Sequence, residues 1–420
     1  MFAGSGATKW VDMVDLAEHS MEERARSVGC PVIDFDIEDG RAFRENVYGA
    51  FDAARELAPF FYSKAARGFW VFSDYSLIAE TNKRPDLFSN NAVEVFLREE
   101  HLMPPMIPEM VDPPEHHQYR MALAPLFTPK AVTAFEHVFR ELCVAQIERL
   151  ASATEFDFME AFARPVPSGF FLGLMGVPDD KREGLTDALI RATFTTASED
   201  PSRSVRRSST EQVIKAVLEL VKDHREHDHD DVFARLMLRP AFGRLLDDEE
   251  LFRIAVLLVN AGVETTGGAL GYMFEHLARH PDDRQAIVDD PDLIPSAVEE
   301  LLRLYPVANS NRIVTGDEDF LGCPVRKGDR VVINRIGANR DPSLIPDGAK
   351  VLLGRNQNNH TTFGNGIHTC LGSHLARREI RITLEEWHKR IPNYRLSPDH
   401  VPHHHVGSTI SLSSLRLQIE

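Results

Sequence analysis

One cysteine stands in a setting suited to metal binding. The stretch TTFGNGIHTCLGSHLARRE, residues 361–379, places Cys370 between a glycine-rich loop and the predicted start of a helix. Glycines allow tight turns and close backbone approach, and the N–H groups and dipole at a helix N-terminus lower a thiol pKa. Such a loop can present a thiolate to a metal, with nearby N–H donors that tune its charge. A buried cysteine beside a helix cap is the alternative.

A second group lies in the longest apolar predicted helix, in LVNAGVETTGG, residues 258–268. Gly262 costs about 1 kcal/mol relative to alanine inside a helix, and burying Glu264 is unfavourable unless its carboxylate is hydrogen-bonded. The hydroxyl of Thr265 can bond back to the preceding turn, which loosens a helix and can hold water. A kinked core helix whose Glu264 faces solvent is the alternative.

Two further pairs have helical spacing. Glu300 and Arg303, in AVEELLRLYP, stand three residues apart, where an ordinary ion pair contributes about 0.2–0.5 kcal/mol. His116 and Arg120, in HHQYR, stand four apart on one helical face. The segment DHREHDHDD, residues 223–231, is interpreted as a solvated charged connector, with metal binding as the alternative.

Composition limits the classes of function. The 420 residues carry a formal net charge of -17, which argues against a general nucleic-acid binder. The four cysteines lie far apart, unlike those of a disulfide scaffold or a clustered zinc site. No signal peptide is visible at the start, and the most apolar run, residues 254–263, is interrupted by Asn260 and too short to span a bilayer. We expect a cytoplasmic protein that is not embedded in a membrane.

Helical patterns dominate the elements that must position these residues. Strand-like pieces are GFWVFS, residues 68–73, and the stretch 320–341, while 92–112 reads as a long binding loop. We predict a mainly α protein with a single domain over 1–420, of which 1–40 is a variable N-terminal arm. Helices are predicted over 41–58, 74–87, from about 112 to 123, and over 130–151, 179–197, 209–227, 247–280, 292–305 and 371–390.

The cysteine stretch resembles the haem-binding signature of the cytochrome P-450 monooxygenases. FGNGIHTCLG matches its Phe363, Gly366 and Cys370 positions, and the resemblance spans about residues 40–420, with most likeness to the bacterial, soluble camphor-hydroxylase-like branch. It implies a helix-rich triangular prism with small β-sheets and haem b (iron protoporphyrin IX) between the central helix and the cysteine loop. It also implies that the thiolate of Cys370 is the axial ligand of the haem iron, which favours O–O cleavage.

The resemblance also assigns roles to the other groups. Ala261 and Gly262 would leave room for dioxygen, Thr265 would assist oxygen activation, and Glu264 would help to relay protons. Glu300 and Arg303 would brace the cysteine side of the fold as structural residues. Four side chains would bind the haem propionates, namely His116, Arg120, Arg312 and His368.

Substrate and electron donor follow from the same resemblance. We expect a small apolar terpenoid or norisoprenoid, with camphor doubtful because residues 92–112 contain no tyrosine. Electrons would come from a [2Fe–2S] ferredoxin and its NAD(P)H-dependent reductase, with Arg120, Arg377, Arg378 and Arg381 forming a basic docking face. A peroxide-using haem-thiolate enzyme and a non-catalytic haem-binding sensor are the alternatives. The expected pocket residues are Phe96, Met103, Met106, Met110, Asn260, Val263, Ala308 and Thr409.

Overall fold

Helices make up most of the described chain, as the sequence predicts. The computed structural model describes residues 21–91, 104–196, 198–355 and 359–420. Residues 21–27 are helical. The further α-helices are Arg41–Glu45, Val47–Leu57, Tyr75–Thr81, Glu115–Leu123, Pro129–Thr133, Glu136–Leu150, Pro165–Leu174, Asp179–Phe194, Ser204–Glu226, Val232–Met237, Asp248–Arg279, Pro281–Asp289, Ile294–Leu304, Arg335–Ala338 and Ser373–Arg390, with a π-helix at Met159–Ala163 and 3₁₀ turns at Ala124–Leu126 and Pro291–Leu293.

Short strands form small sheets at the edge of the helical body. The largest sheet has six strands in the spatial order Val32–Ile33, Phe60–Ser63, Phe69–Phe72, Arg330–Ile333, Ser310–Val314 and Phe88–Ser89. Its fourth and fifth strands are antiparallel, with Ile333 opposite Ser310, so the segment that follows Ile333 lies beside the segment that precedes Ser310. Three strands form a second sheet, in the order Tyr394–Leu396, Arg416–Ile419 and Glu155–Asp157, and two-stranded pairs join Glu318–Phe320 to Cys323–Val325, Pro240–Ala241 to Arg244–Leu245, and His404–His405 to Ser411–Leu412.

The central helix, Asp248–Arg279, is the longest element. It begins with a capping box in which the Asp247 carboxylate accepts a hydrogen bond from the Glu250 N–H and the Glu250 carboxylate accepts one from the Asp247 N–H. Its length and apolar character would suffice to cross a membrane, but 78% of its most apolar window is buried inside the protein. A helix buried on most sides in this way forms the core of a globular domain.

The Glu300 helix, Ile294–Leu304, carries the predicted brace. Glu300 and Arg303 are both fully buried, with their nearest side-chain atoms 2.8 Å apart. Arg303 also donates to the Asn339 carbonyl at 2.9 Å, and Arg355 donates to Glu300 at 3.0 Å. Burial opposes ionisation of Glu300, but these hydrogen bonds outweigh it and lower its pKa. The pair fastens the helix to the segments before the cysteine loop.

Several predicted boundaries are wrong. The helix predicted over 41–58 is interrupted at Asn46, whose side chain accepts from the Gly49 N–H at 3.0 Å and caps a second helix. The helices Pro165–Leu174 and Pro281–Asp289 were not predicted, because their prolines resemble breaks in a pattern although proline suits the first helical turn. Val232–Met237 is also new, and the predicted strand region 320–341 ends in the short helix Arg335–Ala338.

Candidate functional site

The cysteine loop has the tight turns that its glycines predict. The Cys370 N–H donates to the Phe363 carbonyl at 2.8 Å, while Gly364 and Gly366 have φ angles of 74° and 81°. A Cβ atom at Gly366 would lie 2.6 Å from the Asn82 carbonyl oxygen, so only glycine fits that position. The cysteine helix, Ser373–Arg390, begins three residues after Cys370.

The sulfur of Cys370 faces an interior space. Its side chain is exposed, although the protein surrounds it closely enough for burial to raise its pKa. The Gly372 N–H and the guanidinium groups of Arg120 and Arg335 act in the opposite direction, but burial outweighs them. The expected net lowering of the thiol pKa is therefore wrong for the protein alone. A metal cation bound to this sulfur would favour the thiolate, because a coordinating thiol is deprotonated by the metal.

Three buried or half-buried arginines surround the same space. Burial lowers the pKa of Arg120, that of Arg312 to about 9 and that of Arg335 to about 10. Within the described residues, none of the three has a carboxylate at ion-pair distance, and Nε of Arg335 has no hydrogen-bond partner. Buried guanidinium groups without a carboxylate beside them require anionic partners. The cluster is therefore suited to bind an anion.

Two histidines complete the cluster. The rings of His116 and His368 lie 4.2 Å apart, centre to centre. Both ring nitrogens of His116 and Nε2 of His368 are buried without a hydrogen-bond partner among the residues that the structure describes. Burial lowers the pKa of His116 to about 4 and that of His368 to about 3, so each ring is neutral near pH 7 and can donate one N–H.

This donor set fits the expected haem. The two propionates are anions that need buried cations and N–H donors, and the cluster provides three guanidinium groups and two neutral imidazoles with unused nitrogens. The structure brings together all four predicted propionate residues. It adds Arg335, which sequence reasoning missed. Arg335 follows the strand that pairs with the Arg312 strand and donates to the Ser310 hydroxyl at 2.9 Å, so knowledge of that pairing could have revealed it.

One face of the central helix carries the small residue and the hydroxyl that the sequence singled out. The Thr265 hydroxyl donates to the Ala261 carbonyl at 2.8 Å, as predicted for a hydroxyl that bonds back one turn. Ala261 is exposed in the middle of this helix. Gly262 differs, because a Cβ atom there would lie 2.3 Å from the Phe171 ring. The missing side chain at Gly262 therefore makes room for Phe171, and its role toward dioxygen stays a prediction.

Glu264 is buried rather than solvent-facing, being only 5% exposed. Its Oε1 accepts a hydrogen bond from the Ser411 hydroxyl at 2.7 Å and lies 3.8 Å from Nε of Arg164, whereas Oε2 has no partner. Burial raises its pKa against the opposing effect of Arg164. The solvent-facing alternative is wrong, and the carboxyl group stays available for proton exchange.

Glu379, on the cysteine helix, is a titratable residue that the sequence reasoning missed. It is 3% exposed, and burial raises its pKa to about 8, against a hydrogen bond with Thr266 that lowers it. Thr266 adjoins Thr265, so Glu379 links the cysteine helix to the central helix at the level of the candidate site. In the sequence, Glu379 is only an acidic residue within a predicted helix, and nothing there shows that this position faces the core.

The expected substrate residues are only partly brought together. Ala308 and Thr409 face each other in an isolated antiparallel bridge, and Met110 donates its N–H to the Met106 carbonyl at 2.8 Å. Val263 is 1% exposed within the hydrophobic core, so its assignment to the pocket is wrong. Asn260 is half-buried. Phe96 and Met103 lie outside the described residues.

The predicted basic face is largely neutralised. Arg377 lies 2.6 Å from Glu299, and Arg378 and Arg381 both pair with Glu136, the latter at 3.2 Å. Arg120 belongs to the cluster near Cys370 instead. The three paired arginines line a groove of about 230 Å³ with Pro129, Val132, Pro295, Val298, Glu299 and His374. The prediction of an uncompensated basic surface is therefore wrong for these residues, because glutamates from neighbouring helices reach them.

Comparison with protein families gives a match over half the chain. The family described as "Cytochrome P450" matches residues 189–405. A curated relative from Sinorhizobium fredii, "Probable cytochrome P450 127A1", is 33% identical over 367 residues, which cover 86% of each chain. "Steroid C26-monooxygenase" of Mycolicibacterium smegmatis is 30% identical over 379 residues, which cover 87% of this chain and 91% of that protein.

Solved structures agree with the match. The crystal structures of cytochrome P450 CYP101C1 and of CYP101J2 each superpose with a TM-score of 0.83 at 27% sequence identity, covering 93% of this chain and 98% of theirs. At this coverage the likeness is not confined to the cysteine loop.

Proposed function

The chain belongs to the cytochrome P450 family and is a haem-dependent monooxygenase, and from that premise we propose that it hydroxylates a small apolar substrate with electrons from a ferredoxin. The single observation that carries the site assignment is the cluster around Cys370, with three guanidinium groups and two neutral imidazoles that lack anionic partners. We further propose that residues 1–420 form one catalytic domain in the cytoplasm, with 1–40 as a variable arm.

The proposed cofactor contacts follow from the donor set. Cys370 would hold the haem iron, and Gly364 and Gly366 shape the loop that presents its sulfur. The residues that would hold the propionates are Arg120, Arg312, Arg335, His116 and His368. When bound, the haem supplies the activation of dioxygen, and a thiolate ligand favours that chemistry.

The central helix controls protons beside this cofactor. The Thr265 hydroxyl donates a hydrogen bond to the Ala261 carbonyl, so its oxygen is free to accept a hydrogen bond and can fix the position of a water molecule. Glu264 keeps its proton more readily than an exposed glutamate, because burial raises its pKa. A carboxyl group whose pKa is raised in this way can serve both as a proton donor and, once ionised, as a proton acceptor. We propose that Glu264 relays protons to the Thr265 side.

An apolar substrate suits the described part of the pocket. Arg253 donates to the Pro105 carbonyl at 2.7 Å and fixes the loop that carries Met106 and Met110 against the central helix. Methionines adapt to ligand shape, and the Ala308–Thr409 bridge offers small side chains. We propose a terpenoid or norisoprenoid of modest size, with Asn260 as a polar anchor.

The electron donor is proposed to dock beside the cysteine helix. The groove lined by His374 and the paired arginines lies on this side of the fold. Glutamates already pair with these arginines. We therefore expect the shape of the groove to guide the docking of a [2Fe–2S] ferredoxin, with arginines that can exchange a glutamate for a carboxylate of the ferredoxin. Turnover should therefore depend only weakly on ionic strength.

The test begins with the spectrum of the reduced, CO-bound protein. Wild type should give the strongly red-shifted Soret band of a thiolate-ligated haem, and C370S should lose it. C143S, which changes a buried cysteine that contacts Thr383, should keep it. A histidine-type spectrum in wild type would contradict the ligand assignment.

Substrate and electron donor are tested on the same preparation. A panel of monoterpenes, ionones and camphor is titrated for the haem spin-state shift, and hydroxylated product is measured with ferredoxin, reductase, NAD(P)H and dioxygen. The largest shift with camphor would contradict the substrate proposal. Product formed equally well from peroxide alone would contradict the ferredoxin-dependent reaction.

A further inference from the structure

The last turn of the helix Ser204–Glu226 and the turn after it hold a second cluster of ligand-type side chains. Asp223, His224 and His229 each place one ligand atom within 4.8 Å of the other two. Asp231 adds a fourth group, with its Oδ2 2.9 Å from Nε2 of His224. The solvated connector predicted over 223–231 is therefore wrong in part, because Asp223–Glu226 are helical and the side chain of His224 is fully buried.

We propose that these four residues form a binding site for a zinc-like divalent transition-metal ion, separate from the haem site. Two imidazole nitrogens and two carboxylate oxygens are a ligand set that Zn²⁺ accepts. The haem-dependent reaction does not use these residues, so the proposal stands independently of the proposed substrate and electron donor.

His224 is oriented as a metal ligand requires. Its Nδ1 lies 2.9 Å from the Leu220 carbonyl and donates to it, which leaves Nε2 directed at the carboxylate of Asp231. A carbonyl that holds one ring nitrogen fixes both the tautomer and the ring plane of a metal-binding histidine. Phe233 packs edge-on against the ring at 5.1 Å, so this ligand is held rigidly.

Asp231 is held with similar precision. Its Oδ1 accepts the Ala234 N–H at 2.8 Å and caps the helix Val232–Met237, so its Oδ2 points to the cluster. Gly176 packs against the pair: a Cβ atom there would lie 2.4 Å from Oδ2 of Asp231 and 2.8 Å from Nε2 of His224. With a φ of 80°, this glycine allows the two ligand atoms to share one small space.

His229 is the adjustable ligand. Its Nε2 is buried without a hydrogen-bond partner, although Oδ2 of Asp223 lies 3.0 Å away. The ring stacks on His224 with centres 4.0 Å apart, and a shared ion requires it to rotate out of this stack. Its side chain is 25% exposed and that of Asp223 is 48% exposed, so both can move and an ion can enter from solvent.

The local charge favours a cation. Residues 223–231 contain four aspartates and one glutamate against one arginine, and Arg225 is paired with Asp248 outside the cluster. Among the described residues, no lysine or arginine forms an ion pair with Asp223 or Asp231. An ion here would join the end of one helix to the cap of the next.

The test uses haem-loaded, tag-free protein that has been stripped with a chelator and then titrated with ZnCl₂ in a calorimeter. Wild type should bind one Zn²⁺, and H229A should bind it at least about tenfold more weakly, which is 1.4 kcal/mol. H227A is the matched control, because His227 belongs to the same segment but its ring reaches only the other oxygen of Asp223. It should bind as wild type does.

Thermal unfolding provides a second readout. Zn²⁺ should raise the unfolding temperature of wild type and of H227A, since a ligand that binds the folded state stabilises it, and it should leave H229A and D223N unchanged. The Soret spectrum and circular dichroism of each variant verify that it is folded. Absence of stoichiometric binding by wild type, or equal affinity in H229A and H227A, would overturn the proposal.

Discussion

The imidazole rings of His116 and His368 lie 4.2 Å apart although 252 positions separate them in the chain. Both are neutral near pH 7, because burial lowers their pKa values to about 4 and about 3. Neutral rings beside three guanidinium groups add N–H donors without adding repulsion among the cations. The cluster can therefore bind two carboxylates and still tolerate its own positive charge.

The first prediction concerns haem retention. H368L removes one N–H donor from the proposed propionate site and should speed haem loss to a haem-scavenging protein by about tenfold, the equivalent of one charge-assisted hydrogen bond of about 1.5 kcal/mol. H368Q, which keeps a donor, should recover most of the difference. His374 is exposed on the neighbouring helix, so H374L should match wild type. Equal rates for H368L and H374L would exclude His368 from the site.

Arg335 should set the reduction potential. R335Q removes a buried positive charge near the haem, which weakens the stabilisation of the reduced, more negative state by on the order of 1 kcal/mol at an effective dielectric constant of about 20. We expect the potential to fall by some tens of millivolts in a spectroelectrochemical titration. Arg416 lies on the C-terminal strand and is paired with Glu155, so R416Q should leave the reduction potential unchanged. An unchanged reduction potential in R335Q would show that the charge of Arg335 does not act on the haem.

Thr265 should determine how efficiently electrons yield product. T265A removes the hydroxyl that lies one turn after Ala261, so electrons should be diverted to hydrogen peroxide and product formed per NAD(P)H should fall by at least about tenfold. T265S keeps the hydroxyl and should restore most of the coupling. Peroxide and product are measured together. Unchanged coupling in T265A would refute the assigned role.

Glu379 should make stability depend on pH. Its pKa is raised to about 8 in the folded protein, so the unfolded chain releases this proton at lower pH than the folded one. The contribution of Glu379 to the free energy of unfolding is complete below the ordinary pKa of glutamate, and it is lost as pH rises through about 8. The loss is up to about 1.4 kcal/mol per pH unit. E379Q should flatten this decline.

Urea unfolding of the haem-loaded protein at several pH values between about 5 and 8 measures the slope for Glu379. A glutamine can keep the contact with Thr266 and carries no ionisable proton, so the variant should be more stable than wild type at the upper end of this range. Parallel pH profiles for the two proteins would show that Glu379 does not titrate in this interval.

Much of the site was predictable because its signals are local. The cysteine loop, the Glu300–Arg303 pair and the back-bonded Thr265 each depend on spacing within one segment, and the structure places them as the spacing suggests. Arg335 was not predictable in this way, since its position depends on two strands that pair across the sheet. The contact between Gly262 and Phe171 was not predictable either, because Phe171 comes from a helix that was itself missed.

The proposed docking surface could not be predicted from local patterns either, because its ion pairs join distant segments. Arg377, Arg378 and Arg381 form a basic row in the sequence, but Glu136 and Glu299 reach them from other helices. Charge patterns within one segment predict a surface only when no opposite charge arrives from elsewhere in the fold. The net charge of the chain could not reveal these partners.

The contact between Gly262 and Phe171 has a consequence for engineering. Because the phenyl ring takes the volume that any side chain at 262 would need, position 262 can accept a side chain only when residue 171 is smaller or moves. Libraries that vary residue 262 alone should return glycine almost exclusively, whereas a smaller residue at 171 should open that position to alanine or serine. To change the shape of the central helix surface at this point, residues 171 and 262 should therefore be randomised together.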